Sequence, residues 1–453
     1  WAALWAAVVS APADGRDGSA ADGGDVAGAG EGGEVLRLRG ECMRAVCAHP
    51  TEANLVIAAP SKGLLLLDAQ RAGAAGRSAS AHAPPPPQAE GASFSYHQLC
   101  MHPSGSALVA LSDSAVHVWR LSTWRERAHA RSADDGDADL VAAAAAAAVA
   151  AGVRGMSPAS GAIAATMAPS PRPRAMLSVV GSLPFGAAYG APLRDGLNSA
   201  ASHPVRGAFD ARGTKLAVGD AAGRVSLWAW GALGTDVLGR PPCAVVPCLS
   251  RRVADVGFVS STLLAACAHS HGARDSTKGG SHAWSGCLVD FLLPPSRAVV
   301  GGVSLPDGSG HCLVPLHTRP QVLVGSKRGD LTLWDLRTHA IVHTWSAHPG
   351  AAVRALALAR GGDVAVSGAS DGSLRLWDVR ALESMADPHD DAASAPLTER
   401  WASAKHHEKH TMLQPLLGHG PGSSHGVTAI AASAAADAIY TCGADGRVLV
   451  IPL

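Results

Sequence analysis

The chain has 453 residues, and its 37 Lys and Arg residues balance its 37 Asp and Glu residues to a formal net charge of zero. No run of Lys or Arg interrupts this balance, which argues against a nucleic-acid-binding surface. No segment reaches the roughly 18 consecutive apolar residues that a membrane-spanning helix needs. The nine cysteines are scattered without a CxxC pair, so we expect buried thiols in a reducing compartment rather than a disulfide framework.

The chain begins with a segment of small and apolar residues, WAALWAAVVSAPA. It has the small-residue exit of a signal peptide but no basic region before it. We interpret residues 1–33 as a flexible N-terminal segment of a longer protein, with a secretory signal as the alternative. Residues 35–39 then read VLRLR, an alternation that is typical of a half-buried strand.

One pattern recurs along the rest of the chain: a short apolar strand, a tight turn and an alternating strand. Its clearest copies are residues 322–337 (VLVGSKRGDLTLWDLR) and 366–380 (VSGASDGSLRLWDVR), whose Trp residues are 43 positions apart. This spacing falls inside the period of about 40–45 residues of WD40 repeats. Seven hairpins end at equivalent positions, namely Leu67, Trp119, Trp228, Val289, Trp334, Trp377 and Ile451. Since propellers typically close with four to eight blades, the chain is predicted to be all-β, a seven-bladed WD40 β-propeller.

The two ends of the repeat region predict how the ring closes. Each hairpin follows a short apolar segment that we interpret as the innermost strand of its blade, buried on both faces. The last blade stops at Leu453 after three strands, which would leave a sheet edge open. We therefore predict that residues 35–39 supply its fourth strand, and that the propeller spans residues 34–453.

A buried polar network is predicted in blade six. Counting back from Trp377, Asp371 lies in the turn, Ser367 lies on the preceding strand, and His348 lies ahead of the inner strand. These positions match the structural tetrad of WD repeats, in which His bonds to Asp and Ser, and Ser bonds to the indole nitrogen. A catalytic dyad of His348 and Asp371 is the alternative. The matching partial tetrad of blade seven consists of His425, Thr441 and Asp445.

Two long segments interrupt the repeats and are predicted to be insertions. Residues 122–201 carry an acidic patch, an alanine run and a Pro-rich stretch, a composition that predicts disorder. Residues 383–418 form a charged insertion between the last two blades. Histidines cluster within residues 269–282 and in KHHEKH at 405–410, but neither cluster has the HExxH spacing of a zinc site. We therefore predict no metal site and no cofactor.

The repeats after residue 203 also resemble those of a known family. The similarity is carried, in the same order along the chain, by residues 205–228 (VRGAFDARGTKLAVGDAAGRVSLW), 254–267 (ADVGFVSSTLLAAC), 287–300 (CLVDFLLPPSRAVV), 322–337 and 440–453 (YTCGADGRVLVIPL). They resemble the C-terminal WD domain of the DmX-like proteins, also called rabconnectins. These are relatives of the large subunit of the RAVE complex, which promotes assembly of the vacuolar proton-pumping ATPase.

The resemblance implies a non-catalytic scaffold that supports assembly of this ATPase and organelle acidification. The implied partners are soluble-sector subunits of the pump and members of a RAVE-type complex. The implied location is the cytoplasm, with peripheral attachment at endosomal or vacuolar membranes.

Two other functions are compatible with a propeller. A generic WD40 adaptor in ubiquitin ligation, signalling or vesicle trafficking would have the same fold. A propeller enzyme would need convergent His, Asp or Glu residues in its central channel. The inner strands at residues 353–356 (VRAL) and 427–430 (VTAI) carry little of that chemistry, so we predict a protein-binding scaffold and not an enzyme.

Overall fold

The computed structural model describes residues 33–37, 42–53, 55–61, 63–69, 81–82, 95–123, 175–183, 203–231, 237–268, 284–306, 309–316, 318–379, 398–403, 410–411 and 424–453. Within these ranges the chain forms seven four-stranded antiparallel sheets and one two-stranded pair. The seven sheets are the blades of a β-propeller, so the predicted all-β, seven-bladed fold is confirmed. Residues 1–32, most of the predicted insertion at 122–201 and both histidine-rich clusters except His410 lie outside the described residues.

Strand β1 (Gly33–Arg37) joins the last blade, whereas blades one to six each take four consecutive strands. Blade one contains β2 (Ala45–Ala48), β3 (Leu55–Ala59), β4 (Leu65–Asp68) and β5 (Ala81–His82). Blade two contains β6 (Tyr96–Met101), β7 (Ala107–Ser112), β8 (Val116–Thr123) and β9 (Ala175–Leu183). Blade three contains β10 (Pro204–Phe209), β11 (Lys215–Asp220), β12 (Arg224–Ala229) and β13 (Ala244–Pro247).

The second half of the ring repeats this arrangement. Blade four contains β14 (Val253–Phe258), β15 (Leu263–Ala268), β16 (Gly286–Asp290) and β17 (Val299–Val303). Blade five contains β18 (Cys312–Leu316), β19 (Gln321–Gly325), β20 (Asp330–Asp335) and β21 (Ala340–Ser346). Blade six contains β22 (Val353–Ala359), a 3₁₀ turn (Arg360–Gly362), β23 (Val364–Ala369), β24 (Leu374–Asp378) and β25 (Thr398–Ser403). The pair β26 (His410–Thr411) and β27 (Ser424–His425) precedes blade seven, which contains β28 (Val427–Ser433), β29 (Ala438–Gly443) and β30 (Arg447–Pro452).

The hairpin-end residues occupy one structural position in all seven blades. Each lies on the third strand, opposite a residue of the second strand, and each is buried. The pairs are Leu67–Val56, Trp119–Leu108, Trp228–Leu216, Val289–Leu264, Trp334–Val322, Trp377–Ala365 and Ile451–Ile439. Leu, Val and Ile therefore replace Trp at this position without changing the pairing.

Burial is most complete on the second strands and not on the innermost ones. Strands β3, β7, β23 and β29 are buried at every residue, because neighbouring blades cover both of their faces. The innermost strands β22 and β28 contain several partly exposed residues. The expectation that the innermost strands are buried on both faces is therefore wrong for β22 and β28, whereas β14 is buried at five of its six residues.

Two blades take their outer strands from segments predicted to be insertions. Strand β9 pairs with β8 inside the predicted insertion 122–201, and β25 pairs with β24 inside 383–418. The composition of these segments predicts insertions and gives no sign of either strand. The third strand of a blade needs a partner on its outer edge, and β9 and β25 supply it in blades two and six.

Strand β1 closes the ring. It pairs antiparallel with β30 from Gly33–Val450 to Arg37–Arg447. Val35 is 4% exposed and packs in one cluster with residues of blades one and seven. The predicted closure by an N-terminal strand is confirmed, although the strand begins two residues before the predicted segment.

The innermost strands also form a closed ring of their own. Each contacts the innermost strand of the next blade, and β28 of blade seven contacts β2 of blade one. Because an innermost strand is the edge of its sheet, one row of its N–H and C=O groups has no ladder partner. These groups need other partners if they are to be buried.

Two His-Pro turns link neighbouring blades: one joins blade one to blade two, and the other joins blade two to blade three. In His49, Nδ1 accepts hydrogen bonds from the backbone N–H groups of Thr51 and Glu52, and Nε2 lies 3.2 Å from the carbonyl oxygen of Gly105 in blade two. The Nε2 hydrogen is therefore the one donated to Gly105. His102 of blade two repeats the contact, with Nε2 2.8 Å from the carbonyl oxygen of Gly213 in blade three.

We predict that truncating the chain to begin at Cys42 destabilises the propeller relative to a chain that begins at Gly33. Only the longer chain keeps the β1–β30 ladder and buried Val35. The expected loss is at least about 3 kcal/mol in the free energy of unfolding, from the burial of one Val and several ladder hydrogen bonds. Denaturant titration of the two chains measures it, and equal midpoints would contradict closure by β1.

We predict that Gly105→Ala destabilises the protein more than Gly63→Ala. Both glycines have φ of +77°, so each alanine is strained by about 1–2 kcal/mol. A methyl group at position 105 would overlap the imidazole of His49, whereas nothing lies near one at position 63. Overlap of this kind adds about 1–3 kcal/mol. Equal losses in thermal or denaturant melts, or no relief of the Gly105→Ala loss by His49→Ala, would contradict the His49–Gly105 contact.

Candidate functional site

Five side chains form a continuous hydrogen-bonded chain in blade six. The indole Nε1 of Trp377 donates to Ser367 Oγ over 2.9 Å, and Ser367 Oγ lies 2.7 Å from His348 Nε2. On the other side of the imidazole, His348 Nδ1 lies 2.7 Å from Ser373 Oγ. Ser373 Oγ then donates to Asp371 Oδ1 over 2.6 Å.

The available hydrogens fix the direction of every bond in this chain. Because Ser373 gives its only hydroxyl hydrogen to the carboxylate of Asp371, it must accept one from His348 Nδ1. The Nε2 atom of His348 is then an acceptor and receives the hydroxyl hydrogen of Ser367. Burial, with the nearby charge of Arg375, lowers the pKa of His348 to about 4. The imidazole is therefore neutral at pH 7, as this arrangement requires.

The network differs from the predicted tetrad at one point. We expected a direct bond between His348 and Asp371, but Ser373 stands between them. The signal for Ser373 was present in the sequence, since Asp-Gly-Ser is a turn in which the Asp side chain bonds two residues ahead. Asp371 Oδ1 indeed accepts the backbone N–H of Ser373 over 2.9 Å.

The alternative of a catalytic dyad does not fit this geometry. His348 is 1% exposed, and both of its ring nitrogens are bonded to serine hydroxyls of the same blade. A general base must reach the proton that it abstracts from a substrate, and His348 does not reach the surface. The arrangement ties the turn at residues 371–373 to the loop that precedes β22.

The other blades carry less of this network. In blade five, Val324 stands where blade six has Ser367, and the buried indole Nε1 of Trp334 has no acceptor among the described residues. In blade seven, Thr441 and Asp445 are buried, and Asp445 accepts the backbone N–H of Arg447 over 3.1 Å. The side chain of His425 lies outside the described atoms, so the partial tetrad of His425, Thr441 and Asp445 stays a prediction.

A second set of polar side chains lies where the innermost strands begin. Five of these strands contain a β-bulge after their first residue, at His97, Val205, Ala254, Arg354 and Thr428. A bulge adds one residue and re-aims the side chains next to it. The polar side chains at or directly after the bulges are His97, Gln98, Arg206, Asp255, Arg354 and Thr428.

Four of these six side chains bond to the backbone of the next blade, three of them at its innermost strand and one at a residue just before that strand. Gln98 does so twice, since its Oε1 accepts the N–H of Gly207 over 2.6 Å and its Nε2 donates to the Gly207 carbonyl over 3.0 Å. Asp255 Oδ2 accepts the N–H of Leu313 over 2.9 Å. The remaining two contacts are His97 Nε2 with the Val205 carbonyl at 2.9 Å and Thr428 Oγ1 with the Met43 carbonyl at 2.7 Å.

The other two members of the set, Arg206 and Arg354, have no hydrogen bond or ion pair with any described residue. Both are partly buried, and Nε of Arg354 is fully buried without an acceptor. Arg252, which directly precedes β14, is likewise partly buried without such a partner. Burial lowers the pKa of Arg252 and of Arg354, and the positive charge of Arg206 lowers both further.

Two carboxylates compensate part of the charge of these arginines: Asp113 raises the pKa of Arg252, and Arg206 lowers the pKa of Asp255. Both oxygens of Asp255 are engaged, Oδ1 by the N–H of Val256 and Oδ2 by that of Leu313, and burial raises the pKa of this carboxyl. Asp113 lies in the turn before β8 with its side chain 79% exposed, 3.6 Å from Nδ1 of His97. Burial and the charge of Arg206 lower the pKa of His97 to about 4, so this imidazole is neutral at pH 7.

Within the described ranges, no group of three or more His, Cys, Asp or Glu side chains is arranged to hold a metal ion. Seven of the nine cysteines are buried, and none is in a disulfide. Burial raises the pKa of Cys100 to about 12, so this thiol is neutral. No helix in the described part of the chain is long and apolar enough to cross a membrane.

Comparison with known proteins supports the repeat assignment. A family model described as "WD domain, G-beta repeat" matches residues 340–378, from the outer strand of blade five to the third strand of blade six. The chain therefore contains a WD40 repeat, in the blade with the complete polar network. No curated protein sequence matches the chain.

Solved structures support the fold and not a particular function. One match is the crystal structure of Chaetomium thermophilum Raptor, with a TM-score of 0.53 and 12% sequence identity. The alignment covers 92% of this chain and 29% of the Raptor chain. In all, 1540 chains of solved structures match, which is expected of a fold that hosts many functions.

We predict that Ser367→Val destabilises the propeller more than Ser367→Thr. Val and Thr have nearly the same shape, but only Thr keeps a hydroxyl between Trp377 and His348. Loss of the hydroxyl leaves a buried indole N–H and a buried ring nitrogen unpaired, at about 1–3 kcal/mol each. Denaturant titration compares the two variants, and equal stabilities would show that the network contributes nothing.

Proposed function

We propose that the chain is a non-catalytic protein-interaction scaffold. One observation carries the proposal. The buried polar side chains described above bond blades to one another or hold turns in place. The His348 and Asp371 pair, for which catalysis was considered, serves the turn of blade six. Rigid turns around a closed ring present a preorganised surface, which reduces the entropy lost when a partner binds.

The resemblance to the DmX-like proteins supports a finer proposal. The segments that carry it lie in blades three to seven, and several of them combine a hairpin with less regular sequence. Residues 254–267 and 440–453 are examples of such segments. On this basis we propose that the propeller supports assembly of the vacuolar proton-pumping ATPase through contacts with its soluble sector and with RAVE-type complex members. The matching location is the cytoplasm, at the surface of endosomes or vacuoles.

The test is a binding experiment with the soluble catalytic sector of that pump. The purified chain is mixed with the sector, cross-linked and separated by size, and an unrelated seven-bladed propeller serves as the control. The proposal predicts that this chain comigrates with the sector and the control does not. Absence of comigration and cross-links would overturn the role in pump assembly. The same experiment with purified ubiquitin-ligase or vesicle-trafficking components tests the adaptor function, which selective cross-links to one of them would favour.

A further inference from the structure

Two cysteines lie close together where the ring closes. Cys42 lies between β1 and β2, and Cys442 lies on β29 of blade seven, next to the strand that pairs with β1. The backbone N–H of Met43 donates to the carbonyl of Gly443 over 3.1 Å, which brings the two cysteine-bearing segments side by side. Met43 and Cys442 also belong to the apolar cluster that contains Val35 of β1. The pair therefore lies at the junction that the closing strand completes.

A chain of short contacts joins the two sulfur atoms. Cys42 Sγ lies 3.5 Å from the carbonyl oxygen of Met43, and Thr428 Oγ1 donates to that same oxygen over 2.7 Å. Cys442 Sγ lies 3.2 Å from Thr428 Oγ1. Both thiols therefore lie around one carbonyl and one hydroxyl, although they come from opposite ends of the chain. A bond between the sulfurs requires the Cys42 side chain to change rotamer, which its partly exposed position outside any strand permits.

The surroundings keep both thiols protonated at pH 7. Burial raises the pKa of Cys42 and raises that of Cys442 to about 12, and the negative charge of Asp445 raises both further. The positive charge of Arg44 opposes this shift at Cys42. A hydrogen bond from Thr428 opposes it at Cys442. Because the thiolate is the reactive form of cysteine, brief exposure to a weak oxidant leaves the pair reduced.

We propose that Cys42 and Cys442 are a redox-sensitive pair, which forms a disulfide under sustained oxidation by a peroxide and links the closed ring covalently. The partly exposed Cys42 reacts first, when its sulfur attacks one oxygen of hydrogen peroxide to give a sulfenic acid and water. The sulfur of Cys442 then attacks the sulfenic sulfur, which forms the S–S bond and releases a second water. The two thiols lose two hydrogens and two electrons in all, and the peroxide is reduced to two waters.

Access and position distinguish this pair from the other cysteines. Seven of the nine cysteines are buried, so only Cys42 and Cys243 meet an oxidant from solvent. The thiol of Cys243 bonds to the carbonyl of Leu227 and not to a second cysteine. A bond between Cys42 and Cys442 closes a loop of about 400 residues, and cross-links that close long loops remove the most entropy from the unfolded chain. The disulfide would therefore reinforce a closure that is otherwise non-covalent.

The test oxidises the dilute whole chain with hydrogen peroxide, alkylates the remaining thiols and maps disulfides by non-reducing digestion and mass spectrometry. We expect one peptide pair joined through Cys42 and Cys442, which a thiol reductant separates. Cys42→Ser and Cys442→Ala should each abolish this pair, whereas Cys243→Ser, at the exposed cysteine, should keep it. Recovery of Cys442 only as a free thiol, or of Cys42 only in links to a different cysteine or a second chain, would overturn the inference.

Denaturant titration shows whether the disulfide strengthens the closed ring. The oxidised chain should unfold at a higher denaturant midpoint than the reduced chain, and a thiol reductant should remove the difference. In Cys42→Ser, which alters a partly exposed residue, peroxide should not raise the midpoint. A cross-linked chain with an unchanged or lower midpoint would show that the bond does not reinforce ring closure, and the inference would be wrong. Neither measurement involves the pump, so each outcome leaves the scaffold proposal to its own test.

Discussion

The free edge of each innermost strand is the constraint on which the rest of this propeller depends. A blade ends at the channel with a row of N–H and C=O groups that have no neighbouring strand, and such groups cannot be buried unpaired. Side chains of the preceding blade supply the partners at several junctions, as Gln98 does for Gly207 and Asp255 does for Leu313. The same bonds join blade two to blade three, blade four to blade five and blade seven to blade one, so at these junctions satisfying the edge also assembles the ring. Closure by β1 completes it on the outer side of blade seven.

Much of the architecture was predictable because the second and third strands of each blade are local in sequence. Apolar strands and tight turns identified seven hairpins, and the missing fourth strand of the last blade pointed to residues 35–39. The outer strands β9 and β25 were missed because they follow long segments of biased composition, and composition carries no information about a distant sheet edge. The inner-strand bulges were missed for a related reason, since a bulge is defined by the register of two strands and not by the residue types in one.

The polar residues show the same division between local and distant signals. The Ser-His-Trp part of the blade-six network follows from spacing, whereas Ser373 was overlooked although its Asp-Gly-Ser turn is a local signal. The polar side chains at the inner-strand bulges, such as Gln98 and Asp255, could not be matched to their partners from sequence, because those partners lie on another blade.

The central claim is that side chains of one blade bind the free strand edge of the next. Hydrogen exchange of the backbone amides of Gly207 and Leu313, resolved by NMR, tests it most directly. The account predicts that both amides exchange as slowly as ladder amides of the same blades, through global unfolding, and that Gln98→Ala selectively accelerates exchange at Gly207. Exchange at the rate of exposed amides in the unaltered chain would contradict it, because the inner edge would then be open to water.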